Sequence, residues 1–249
     1  MSESVTAIVA HLRVVDAERQ RRDQLPGLRE RVTELKAFQQ RRFSHTYADL
    51  LASARYGAAA RYFLAELYGP GDFTSRDAQF ARVAPSMARL FPHDVAEMVA
   101  ILAELPALSE TLDTETAMHL ADGPVAPIDY VRAWQRAGRA PDRERQIQLT
   151  LRIAAQLDRI TRVPMLRNAL RLMRRPARAA GLSDLQRSLE TGFDVFRAMK
   201  GADEFIALID SRERALADAL FAAGHAGSGD ASSMDRALAG LAPTAAQRG

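Results

Sequence analysis

Tyr56, Ala60, Phe63 and Leu67 fall at i, i+4, i+7 and i+11, a spacing that stacks their side chains on one face of a helix. Leu64 and Tyr68 widen that face, and Gly69-Pro70-Gly71 ends it, because glycine accepts a left-handed cap and proline cannot continue the ladder. Thr74 followed by Asp77 is a capping-box-like restart. The next helix places Phe80, Val83, Met87 and Leu90 on one side, with Pro85 kinking it. A helix, a tight corner and a second helix are thus written into residues 55–92.

The same period recurs along the chain. Residues 5–23 read as an amphipathic helix, and Pro26 opens another that runs to Leu50-Leu51. His93-Asp94 starts a helix that Pro106 interrupts and Ser109 or Thr111 restarts. Gly123-Pro124 and Pro127 mark a loop, and a short helix around Trp134 follows. Asp142 to Arg162 is helical; Pro164 begins a helix with Leu166, Leu170 and Met173 inside, which Pro176 kinks or ends and Gly181 stops. Ser183 caps a helix carrying Leu185, Leu189, Phe193 and Phe196, and Phe205 to Leu220 define the last long one. Runs of Val, Ile or Thr are few, which argues against a sheet. The expectation is an all-α multi-helix bundle of roughly eight to ten helices with proline kinks. Residues 1–223 read as a single helical domain with a sub-boundary near 123–127, and residues 224–249 as a flexible tail.

Composition excludes several chemistries. With no cysteine, disulfides, thiolate nucleophiles and cysteine-ligated metal centres are impossible. The net charge is only +3, so specific nucleic-acid binding is not expected, and no helix-turn-helix or P-loop pattern accompanies the charge. No G-x-S-x-G elbow is present, and no residue nominates a cofactor. There is no apolar run of about eighteen residues and no basic leader after MSES, so a cytoplasmic protein without a membrane span is expected.

Two groups of residues are candidate binding sites. At the corner, Arg61, Glu66, Tyr68, Arg76, Asp77 and Arg82 either converge on a ligand or partner peptide or act as caps and ion pairs that fix the turn. The second group lies in an arginine-rich run. Residues 93–129 hold eight acids and no lysine or arginine, whereas residues 142–187 hold eleven arginines against four acids. Arg167, Arg171 and Arg174 repeat at helical spacing, and Arg178 extends the stripe if the helix survives Pro176. The stripe either docks an anionic partner (phosphate backbone, acidic protein or lipid headgroups) or faces the chain's own acidic segment.

The run Tyr62-Phe63-Leu64-Ala65-Glu66-Leu67-Tyr68 resembles the signature of the bacterial FFLEE-motif (FFLEELY) family, with tyrosine first and Ala65 where the family carries glutamate. Arg76-Asp77, Phe80, Arg82-Val83, Arg89-Leu90-Phe91-Pro92 and the later runs Arg175-Pro176-Ala177, Gly181-Leu182 and Gly192-Phe193 are similar to that family as well. The resemblance implies no activity, because the family has none established.

The expected function is therefore a non-catalytic helical binding or adaptor module for an unknown protein or anionic partner. The competing expectation is a metal-dependent helical enzyme. His93 with Glu97 and Glu115 with His119 are i, i+4 pairs, and two helices facing each other across Pro106 would bring four ligands together.

Overall fold

The helical period of the sequence is the period of the folded chain. The computed structural model describes residues 3–66, 74–90, 93–225, 235 and 238–241. Among them are eleven helices and no strand: α1 (Glu3–Gln24), α2 (Leu28–Thr46), α3 (Ala48–Ala52), α4 (Gly57–Glu66), α5 (Thr74–Leu90), α6 (His93–Ala117), α7 (Pro127–Ala137), α8 (Ala140–Thr161), α9 (Pro164–Ala179), α10 (Ser183–Met199) and α11 (Asp203–His225). The all-α bundle expected of the sequence is what forms. The helix expected from Pro26 to Leu51 breaks at the fully buried Tyr47, whose backbone leaves the helical region at φ −114° and ψ 25°; α2 ends there and α3 begins. The segment expected as a tail lies mostly outside the described residues, but within it Leu238 and Leu241 pack against the core.

Pro106 does not break its helix. α6 runs unbroken from His93 to Ala117 and touches α1, α2, α5, α7 and α8, which makes it the spine of the bundle. An interior proline costs about 3 kcal/mol. Val99, Ile101, Leu105 and Leu112 of the same helix are buried, and each such side chain contributes about 1.5–3 kcal/mol. Burial wins, so the restart expected at Ser109 or Thr111 is not needed. Pro176 likewise sits inside α9, which continues to Ala179.

Four apolar clusters form around the spine. α2, α7 and α11 meet at Leu35, Phe38, Tyr130 and Trp134, so the single tryptophan is a core residue, 9% exposed. α4 lies against α10 and α11 through Phe63, whose ring centroid is 5.8 Å from those of both Phe196 and Phe205. α1, α5 and α6 share a third cluster, and α6 and α8 a fourth. The segment at Tyr62-Phe63 therefore touches the segment around Gly192: Phe63 meets Phe196, and Tyr62 lies over Gly192.

That last contact makes a sharp prediction. A Cβ at position 192 would stand 2.8 Å from the Tyr62 hydroxyl and 3.1 Å from its ring carbon. Glycine within a helix normally costs about 1 kcal/mol relative to alanine, so Gly192→Ala should stabilise on propensity alone. Chemical denaturation is expected to show the opposite, a lower midpoint for Gly192→Ala, with part of the loss recovered on combining it with Tyr62→Phe.

Candidate functional site

The corner residues act as structural clamps. Arg61 donates to the Leu51 carbonyl at 3.0 Å. Asp77 accepts from Arg19 at 2.6 Å and from Arg76 at 3.2 Å. Arg82 donates to the carbonyls of Ala180 at 2.6 Å and Gly181 at 3.1 Å, satisfying oxygens left over where α9 ends. Gly181 makes that end possible: its φ of +68° is left-handed, and Leu182 N–H reaches back to Ala177 O at 2.8 Å. Tyr68 and the Glu66 side chain lie outside the described residues.

α5 also caps α10 from a distance. Ser183 is the first residue of α10 rather than its cap, and the cap position, Leu182, offers no side-chain acceptor. Gln79 supplies one, its Oε1 accepting from the N–H groups of Asp184 at 3.0 Å and Leu185 at 2.9 Å. Ser75 donates to the Asp184 carboxylate at 2.7 Å. Arg82 of the corner set, with Gln79 and Ser75 of the same helix, thus fixes the α9–α10 turn.

Arg76 and Asp77 also border a cavity of about 160 Å³ between α2, α6, α7, α8 and α11. Its charges are spent on one another. Glu110 accepts from Lys36 at 2.9 Å and from Arg22; burial pushes its carboxyl up, but Lys36 and Arg22 outweigh burial and hold it below the ordinary range. Glu213 accepts from Arg42 and, at 2.7 Å, from the Tyr47 hydroxyl. Arg143 stacks on the Trp134 ring, 3.9 Å from its centroid, and donates to Thr116 Oγ1 at 2.8 Å. With these charges paired across α2, α6 and α11, the cavity is a polar joint between helices.

The acidic segment meets the first part of the basic run. Glu104 of α6 forms a two-pronged pair with Arg145 of α8 at 2.7 and 2.8 Å, Glu97 pairs with Arg152, and Glu115 accepts from Arg139 at 2.7 Å. This zipper separates the residues of the alternative metal site. Because α6 is continuous, Glu97 and Glu115 stand about 27 Å apart along one axis, at ~1.5 Å per residue. His119 is exposed just beyond the helix end, and the His93 side chain lies outside the described residues. Among the described residues, no three His, Asp or Glu side chains gather where they could hold a metal ion.

The arginine stripe of α9 finds different partners, on α10. Arg167 donates to Glu190 at 3.2 Å and to Asp194 at 2.6 Å, and Arg174 donates to Glu190 through Nε at 2.7 and 2.9 Å. Gln186 adds a bond to Glu190 at 2.9 Å. Arg171 and Arg178 are exposed and have no side-chain bond among the described residues. The clamp turns the helix over relative to expectation. Arg167 and Ala177 are buried, whereas Leu166 and Met173, expected inside, are 37% and 51% exposed. Met165 and Leu172 are the most exposed large apolar side chains, at 80% and 79%. They stand seven residues apart and so share one line along the helix.

Seven of the ten exposed large apolar side chains among the described residues fall between Ile160 and Leu189, four of them (Met165, Leu166, Leu172 and Met173) on α9 itself. Sequence reasoning missed this exposure by giving the apolar residues of α9 the inward side. The available signal was the short Ala180–Leu182 turn, which sets Glu190 opposite both Arg167 and Arg174.

The Glu190 carboxyl predicts a pH dependence. Arg174 holds it down to about 2 against the upward push of burial, with Gln186 and Arg167 adding to the effect. A depressed carboxyl contributes its full stabilisation above the ordinary value and loses it as pH falls toward the folded-state value. The melting-temperature advantage of the natural chain over Glu190→Gln is therefore expected to be flat at neutral pH and to shrink from 4.5 toward about 2. A constant difference across that range would remove Glu190 from this role.

Comparison with known proteins gives the chain a family. No curated protein and no solved structure matches it. A family model described as a domain of unknown function, DUF8198, matches residues 17–227. That span is most of the sequence, and the chain belongs to the DUF8198 family.

Proposed function

We propose that the chain is a non-catalytic interaction module whose contact surface is the outer face of α9. The observation that carries this reading is the exposure of Met165, Leu172 and Met173 on a helix whose inward side is fixed by ion pairs. Exposed apolar side chains gathered on one helix mark a contact site. At the other candidate, the corner, Arg82 and the neighbouring Gln79 hold the α9–α10 turn and so support the surface instead of forming it. The likeness of Tyr62–Tyr68 to the FFLEE signature fits the same picture, since Tyr62 and Phe63 underlie α10. We read the protein as cytoplasmic, with residues 1–223 acting as one helical unit.

Photo-crosslinking in cells tests the reading. A photoreactive residue at Leu172 is expected to yield adducts, of whatever class, that the same residue at the exposed, polar Gln148 does not. Equal, background-level yields at the two positions would show that α9 contacts nothing.

A further inference from the structure

We infer that the occupant of the α9 face is an anionic lipid surface, on which α9 lies in the plane of the headgroups. This rests on the reading of α9 as the contact surface and names what covers it.

Two observations favour lipid. First, α9 separates apolar from charged residues more sharply than any other long helix of the chain, yet its average hydropathy is low. That combination belongs to helices that lie at an interface rather than cross it, and among the described residues no helix is long and apolar enough to cross a membrane. Second, its charge has one sign: five arginines and no acid between Pro164 and Ala179. Arg167 and Arg174 are held by α10, but Arg171, Arg175 and Arg178 are exposed with no side-chain partner among the described residues. Arg175, three residues from Leu172, flanks the Met165–Leu172 line, and Arg171 and Arg178 stand farther round toward the seam with α10; from there long guanidinium stems reach headgroup phosphates while the apolar line enters the acyl boundary.

The geometry also supplies a rigid mount. Among the described residues α9, about 24 Å long, packs chiefly along α10 and more lightly against α8, and its Met165 and Leu172 stay exposed. Val163, just before the helix, is 46% exposed.

The absence of cysteine provides a clean test. Leu172→Cys in the full chain, labelled with an environment-sensitive fluorophore, is titrated with phosphatidylcholine vesicles that contain or lack phosphatidylglycerol. The expected result is a blue shift and co-sedimentation with the anionic vesicles alone. The unlabelled natural chain should co-sediment in the same way. Arg171→Glu with Arg175→Glu should weaken binding by at least about 25-fold, at about fivefold per lost arginine, without changing the melting temperature. Met165→Glu should weaken it too, showing that the apolar line enters the bilayer. Absence of binding by the natural chain to anionic vesicles overturns the inference. If crosslinks at position 172 persist in that case, a protein or a second copy of the chain covers the face, and the contact-surface reading stands without lipid. Equal binding to both vesicle types, or binding indifferent to the arginine reversals, also overturns it.

Discussion

One carboxylate decides which side of α9 the protein shows to its surroundings. Glu190 projects from α10 into the seam between two helices and accepts from Arg167 and Arg174, placed two turns apart on α9. Rolling α9 to bury Met165 and Leu172 would recover part of the ~1.5–3 kcal/mol that each forfeits in water. It would also strand Glu190 without a counterion at ~3–5 kcal/mol and take Arg167 from Asp194. Among the described residues the main neighbours of α9 are α10 and α8, so a roll offers its apolar residues little further cover. The ion pairs therefore win the inward face, and the apolar residues are left outside.

The charge asymmetry of the sequence divides into two parts with different uses. Arg139, Arg145 and Arg152 zip α8 onto the acids of α6, and Arg22 and Lys36 hold Glu110 inside the bundle. These pairs join elements of the fold to one another. Among the described residues the arginines of α9 meet Glu190 and Asp194, fewer carboxylates than guanidiniums, so positive charge remains on the exposed shoulder of that helix. The net charge of +3 hides this local surplus.

The sequence was most legible where physics is local. The period through Tyr56, Ala60 and Phe63 identified the helix face that packs, and all three are buried. Gly181 was readable as a stop because a left-handed cap requires little else. Legibility failed where a distant element changed the outcome. Pro106 reads as a break, but α6 is gripped by five other helices and carries on through it. Ser183 reads as a cap, but Gln79, more than a hundred residues away, does the capping. The roll of α9 failed in the same way: its apolar spacing is ordinary, and only the position of Glu190 across the turn shows that the arginines face in.

The oxidation of individual methionines by dilute peroxide, followed by mass spectrometry on the monomeric chain, tests this account most directly. Met165 is 80% exposed and Met199 is fully buried. With α9 held as described, Met165 should oxidise as fast in the folded protein as in the denatured chain, while Met199 is protected. Protection of Met165 equal to that of Met199 would place the apolar face of α9 inside and contradict the role given to Glu190.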